Sequence, residues 1–425
     1  MKKMQSFFDR ISPTLNKIGN NRYLLTIMES MMATLGPIIL GSLAVLLLVF
    51  PIKAVPNAIQ AWGFTPILNS VNTFTVGALA LYIVFLMARN LVGNFLKDDN
   101  GSAAGIIALM SFLFVTPMGN IVAKKVTTTA LPSTWLGSQG VFSAMIIGLV
   151  VGRLYVYIRQ HNWTIKMPQG VPPMVSNAFA ALIPTVVIGL LFILVARLFA
   201  FTPYGNMHQF IYSVIQIPLR GIGGSIWAMI LVSLLMQLLW FFGIHGTNVI
   251  LPLVTPIWLS MDMENLNAVS NGHMPQNIIG LAFFNVVTWS GLALGLVLLM
   301  LFAKSKQYKD LGRLSVVPAL FGITEPVIFG TPLVLNFDFA VPFIFNNTIA
   351  LIIAYLATKM GLVATFIGAQ TVFGLPLGFF AGVEGKVSII VMQLIIQLIV
   401  SPLLWYPWFK HADMKAYKAE TSHEG

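Results

Sequence analysis

The side chains best suited to chemistry in this chain are an imidazole and a carboxylate, each set among apolar residues. His245 lies in LLWFFGIHGTNVI and Glu325 in LFGITEPVIFG. A carboxylate accepts hydrogen bonds from two hydroxyls, and an imidazole both donates and accepts, so a wet pocket holding the two suits a polyol. Trp240, five residues before His245, offers an aromatic face of the kind that stacks on the apolar face of a sugar ring. Its alternative role is that of an aromatic residue at a membrane interface. Thr247, Asn248, Asn336 and Gln139 are further candidate ligand contacts, with helix capping as the alternative for each. For His245 and Glu325 the alternative is a buried tie between helices, and the sequence does not say whether the two meet. Glu29, Asp338 and Glu384 are secondary candidates, closer to the ends of apolar segments.

The chemistry on offer is recognition rather than covalent catalysis. The sequence contains no HExxH zinc pair, no GxSxG elbow and no GxxxxGK[ST] phosphate loop. It has no cysteine, which removes disulfides, thiolate metal sites and a cysteine nucleophile. No catalytic residue, cofactor or metal is therefore expected. GIGGS, Gly221–Ser225, lacks a strand–turn–helix context and reads as a hinge or a close helix contact.

These residues must be positioned by membrane helices. Of 425 residues, 57% are hydrophobic and 9% charged, against about 25% charged in an ordinary soluble domain. The mean hydropathy is +0.85. A fold of this size cannot hide so much apolar surface from water, so the chain is an all-α polytopic membrane protein. The net charge of +11 is scattered between apolar segments, which points to loop charges that set orientation rather than to nucleic-acid binding. The N-terminal stretch lacks a signal peptide's short apolar core and cleavage site, and reads as a cytoplasmic amphipathic lead-in.

A spanning helix takes about 20 apolar residues. Met31–Phe50, Phe74–Val92, Val141–Ile158, Ala180–Phe201, Ser225–Phe242, Ile278–Phe302 and Ser388–Trp408 qualify, with Ala103–Met118 weaker. The region from Val316 to Phe380 holds one or two more, giving about ten spans. Basic clusters before the first span, after Phe302 and at the C-terminus predict cytoplasmic N and C termini. Lys124 and Lys125 depart from that pattern. Asn206–Leu219 is amphipathic and too short to span, and suits the interface. It divides the chain into an N-terminal half (1–205), a linker (206–222) and a second half (223–425).

The residues with chemistry fall in segments that break the rules for spanning helices. Gly246–Ser260 carries Pro252 and Pro256, and Ile323–Phe337 carries Pro326, Gly330 and Pro332; both read as re-entrant. Backbone freed by Pro or Gly at membrane depth must be satisfied by protein or a wet cavity, and broken segments mark transporter sites. An ionisable residue in such a place defaults to function.

FFGIHGTNVI, TPIWLSMDMENLNA, MPQGVPPMVSNAFAALIP and TEPVIFGTPLVLN resemble the permease subunit, enzyme IIC, of the bacterial phosphoenolpyruvate-dependent sugar phosphotransferase system, in its lactose/cellobiose/chitobiose branch. The resemblance runs over nearly the whole chain, to YPWFKHAD. It implies a homodimer in the bacterial inner membrane, with ten spans per protomer. It also implies a first half making most of the dimer contact and a second half with two re-entrant hairpins that moves the sugar like an elevator. By position, His245 and Glu325 would bond the sugar near the hydroxyl to be phosphorylated, and Trp240 would stack on it. A separate B subunit would carry the phosphocysteine, so the chain needs no phosphoryl-accepting residue. Thr324 stands where many relatives have Asn, as in the glucose and sucrose branches. NVVTWSG (Asn285–Gly291) replaces a Gly-Ser-Gly run. A Trp near position 371 is absent, leaving Phe373 as the nearest aromatic, with Trp289 as another aromatic to consider. The implied substrate is a β-linked disaccharide such as cellobiose. A glucose or α-glucoside permease of the same superfamily and a proton-coupled transporter using Glu325 remain alternatives.

Overall fold

The computed structural model describes residues 21–50, 52–123, 126–165, 167–168, 170–171, 173–331, 333–371 and 374–423. In chain order the principal elements are α1 (Arg22–Leu48), α2 (Thr65–Phe95), α3 (Ser102–Phe114), β1 (Gly119–Ala123), β2 (Val126–Ala130), α4 (Ser138–Gln160) and α5 (Ala178–Ala200). There follow α6 (Met207–Gly223), α7 (Ile226–Phe241), α8 (Gly246–Ser270), α9 (Leu281–Leu301), α10 (Lys306–Leu320), α11 (Glu325–Gly330), α12 (Ala340–Lys359) and α13 (Val387–Ser422). Among the described residues seven helices are long and apolar enough to cross a membrane, and α6 with α7, bent by 69°, makes an eighth if counted as one span.

The structure departs from the sequence expectations in two places. The chain is not wholly helical: β1 and β2 form an antiparallel hairpin, with Gly119 opposite Ala130 and Ala123 opposite Val126. The β-branched residues of IVA and VTTT favour a pleated strand. Lys124 and Lys125, the charges that departed from the orientation pattern, fall between the strands and outside the described residues. The segment Gly246–Ser260 is unbroken, because α8 runs for 25 residues with Pro252 and Pro256 inside it. Each proline removes one backbone donor, but two such losses do not stop a helix whose neighbours pack around it. The extra span expected between Val316 and Phe380 is α12, with Pro342 near its start, where a missing N–H costs little.

In the first half, small residues set the packing, as is usual between helices in lipid. A Cβ on Gly148 would come within 2.6 Å of Met87, and one on Gly152 within 2.9 Å of Leu91, so α4 lies directly on α2. Polar pairs join α1 to α2: Asn90 donates to Ser30 at 3.1 Å, and Asn94 donates to Thr26 and to Glu29 at 3.0 Å. Glu29 is thus held within the first half.

The second half is tied at one end by carboxylates. Asp413 accepts from the Lys304 and Ser305 amides at 2.9 Å and from the Ser305 hydroxyl at 2.8 Å. Glu420 accepts from the amides of Lys306 and Gln307 at the start of α10 at 2.9 and 3.0 Å, where four helix N–H groups lack internal partners. Lys415 pairs with Asp338 at 3.1 Å. α6 is anchored by Arg220, which pairs with Glu264 of α8 at 2.7 Å and donates to Asn277 at 2.6 Å.

Asp413 is buried and satisfies three donors, whereas the Lys415–Asp338 pair is exposed. Asp413→Ala is expected to cost about 1–3 kcal/mol of stability. Lys415→Ala is expected to cost under about 1 kcal/mol. Thermal melts of the purified protein in detergent test the difference.

Candidate functional site

The turn between α7 and α8 is built by local sequence. Gly243 has φ +79°, a left-handed conformation that glycine adopts without penalty and that commonly closes a helix. The amide of Gly243 bonds the Trp240 carbonyl at 3.0 Å, and that of Ile244 bonds the Leu239 carbonyl at 2.9 Å. Trp240 is therefore in the last turn of α7. Two residues beyond Gly243, His245 caps α8: its Nδ1 accepts from the Asn248 amide at 3.3 Å. In the neutral ring an accepting Nδ1 leaves the proton on Nε2, so Nε2–H is a donor. Gly246 allows the two helices to close up, since a Cβ there would run into the carbonyl of Met236.

Four of the expected site residues gather at this turn. The Trp240 and His245 rings lie 4.3 Å apart between centroids at 47°. The indole Nε1 donates to Thr247 Oγ1 at 3.4 Å. His245 and Asn248 are exposed, while Trp240 and Thr247 are half-buried. The result is an aromatic face edged by an imidazole donor, a hydroxyl and an amide.

The segment around Glu325 backs onto the same turn. Gly322, at φ +81°, ends α10 and lies against the Trp289 ring, with an ideal Cβ position 3.3 Å from it. The backbone of Glu325 then opens the six-residue helix α11; the side chain of Glu325 is outside the described residues, as is Phe373. Beyond α11, Leu335 adopts φ +55° and its amide donates to the Phe241 carbonyl at 2.9 Å. Val334 packs 3.4 Å from where a Cβ on Gly243 would stand, and Phe337 meets Phe241 edge-on at 5.4 Å. Asn336 sits in this loop, accepting from the Asp338 amide at 3.0 Å and donating to the Thr331 carbonyl at 3.5 Å, so its side chain braces the loop.

Gln139 lies elsewhere. It lines a cavity of about 480 Å³ bounded by Asn69, Asn72 and Thr73 near the start of α2, by Ser133, Thr134, Gly137 and Ser138, and by Met263, Asn267, Ser270 and Asn271 at the end of α8.

Two buried carboxylates matter more than the sequence reading indicated. Asp262 of α8 accepts from the Ala282 amide and from Gln370 Nε2, both at 2.8 Å. A Cβ on Gly280 would strike the Asp262 carboxylate. Glu384, fully buried, accepts from the Gly368 amide at 3.1 Å. The Gln370 amide in turn donates to Ser42 of α1 at 3.4 Å, a link between the two halves. Asp262 stood within IWLSMDMENLNA, where an acidic residue in an apolar run was the available signal. Among the described residues no group of three or more His, Cys, Asp or Glu is placed to hold a metal.

Comparison with known proteins defines the class. The profile of the family described as Phosphotransferase system, EIIC matches residues 28–347. The chain is 34% identical to the oligo-beta-mannoside-specific EIIC component of Bacillus subtilis (strain 168), covering 96% of this chain and 94% of that one. It is also 34% identical to the cellobiose-specific EIIC component of Geobacillus stearothermophilus, covering 95% and 93%. The solved structure of the transporter ChbC, the IIC component of the N,N'-diacetylchitobiose-specific phosphotransferase system, superposes with a TM-score of 0.90 at 31% identity, covering 98% of this chain and 99% of that one. The chain belongs to the phosphotransferase-system EIIC family: it is a multi-pass, sugar-permease component of a bacterial phosphotransferase system.

The turn predicts its own sensitivity to small changes. Gly246→Ala places a methyl against the Met236 carbonyl, whereas Gly36, with nothing within 4 Å of its Cβ position, does not. Gly246→Ala should cost about 1–3 kcal/mol of stability and weaken ligand binding. Gly36→Ala should leave both within about 0.5 kcal/mol. Thermal melts and binding isotherms on the two variants test this.

Proposed function

We propose that this permease imports a β-linked disaccharide of the cellobiose type and presents one of its hydroxyls for phosphorylation by a separate B subunit. The observation that carries the reading is the backbone bond from Leu335 to Phe241 at 2.9 Å, which sets the segment opened by Glu325 against the turn bearing Trp240 and His245. Trp240 stacks on a sugar ring, His245 Nε2–H donates to a hydroxyl oxygen, and the Glu325 carboxylate accepts from two hydroxyls. Thr247 and Asn248 edge the same face and Asn336 is the outlying member of the set, while Gln139 lies at the far end of α8. The chain supplies binding and orientation, and the phosphoryl group comes from the B subunit. The names of its relatives, for oligo-beta-mannoside and cellobiose, support a β-linked substrate.

The working arrangement we infer is a ten-span homodimer. Residues 1–205 form most of the dimer contact, 206–222 the interfacial linker, and 223–425 the moving transport domain. Two re-entrant hairpins of an elevator lie within residues 223–425. The 69° bend between α6 and α7 supports separating the linker from the transport domain. Both termini lie in the cytoplasm. The contacts of Asp413 and Glu420 with residues 304–307, and of Lys415 with Asp338, support this. They gather Lys304, Lys306, Lys410, Lys415 and Lys418 at one end of the second half, as the positive-inside rule expects.

A glucose or α-glucoside substrate is the second reading, favoured by Thr324 before Glu325. Binding to the purified protein without ions or phosphoryl donor separates the readings. Saturable binding selective for cellobiose or chitobiose over maltose and glucose is expected. Glu325→Gln should weaken it by about 1–3 kcal/mol, His245→Ala should act similarly, and Glu384→Gln should spare it in protein that stays folded. Binding of maltose or glucose alone favours the second reading. Wild-type affinity in Glu325→Gln contradicts a direct contact.

A further inference from the structure

We propose that the polar cavity at the far end of α8 is a second carbohydrate site, a vestibule that holds the sugar away from the Trp240–His245 turn. This rests on the sugar-permease reading above and adds a place to it. The cavity volume of about 480 Å³ falls within the range of small-molecule pockets. None of its fourteen lining residues is ionisable, and ten carry an amide or hydroxyl. Such a wall offers a phosphate, an ion or an amino acid no countercharge. It suits a neutral polyol, because each sugar hydroxyl donates and accepts, as do the amides of Asn69, Gln139, Asn267 and Asn271.

The position is separate from the turn. Met263, the first lining residue on α8, is eighteen residues past His245, about 27 Å along a helix, and Asn271 is about 39 Å along. One disaccharide cannot touch both places. Asn72 supplies an independent sign of an absent partner: it is over nine-tenths buried, it lines the cavity, and its Oδ1 has no hydrogen-bond partner among the described residues. Turning that amide toward the cavity would give it a hydroxyl donor. No aromatic side chain lines the cavity, so sugar lacks a stacking surface there and is held more weakly than at Trp240. Weak binding suits a place of passage. Its walls come from both halves of the chain, residues 69–139 and 263–271.

The test uses cellobiose and the full-length purified protein, with binding read by saturation-transfer NMR. In the double variant His245→Ala, Glu325→Gln the proposal expects a weaker but still saturable cellobiose signal. Adding Ser270→Trp, which fills the cavity, should abolish the residue of binding. Asn267→Leu, at an exposed position, should reduce it if Ser270→Trp compromises folding. In a wild-type background Ser270→Trp should leave the tight site intact. No saturable signal in the double variant, while the wild type binds, overturns the vestibule and spares the sugar-permease reading. A residual signal indifferent to both cavity variants also overturns it. Absence of saturable cellobiose binding in the wild type removes the cellobiose-type substrate and the vestibule together.

Discussion

One backbone hydrogen bond, from the Leu335 amide to the Phe241 carbonyl, is the constraint on which the proposed sugar site depends. It joins two segments that are remote in sequence, and each is irregular. α7 stops at Gly243, and its end group can be satisfied from outside because the left-handed turn directs the chain away. Leu335 reaches that carbonyl by adopting φ +55° itself. Val334 against Gly243 and Phe337 against Phe241 fill in around the bond. A substitution that displaced the loop by an ångström would separate the Trp240–His245 face from the Glu325 segment without touching either.

The same problem, polar groups among apolar helices, is solved differently elsewhere in the second half. Asp262 and Glu384 are buried and held by backbone amides and by Gln370. Amide donors fix direction as well as position, so these carboxylates clamp α8 to the start of α9 and to residues 368–370. Gln370 extends the clamp to Ser42 in the first half.

The sequence showed the membrane class and the residues of the turn because both are local. Apolar runs of span length need no tertiary information, and Trp240, His245, Thr247 and Asn248 fall within nine residues of one another. Gly243 and Gly246 mark the turn, but their reasons, a positive φ and the Met236 carbonyl, are visible only in three dimensions. Pro252 and Pro256 misled, since a proline's lost donor weakens a helix without ending it when packing sustains the rest. The β-hairpin was missed although IVA and VTTT carry strand residues, because its apolar first strand continued an apolar helix. Gln139, at the start of a span, was read as a candidate ligand contact, and the fold places it at the other end of α8. The burial of Glu384 was hidden because its partners are amides of residues 16 positions earlier, which no side-chain pattern announces.

The central claim is that one sugar is held between the Trp240–His245 turn and the segment opened by Glu325. An experimental structure of the permease with bound cellobiose tests it most directly. The account predicts a sugar ring stacked on Trp240, with His245 Nε2 and the Glu325 carboxylate within hydrogen-bond distance of its hydroxyls. Cellobiose bound elsewhere, with the turn and the Glu325 segment both free of it, would contradict the account.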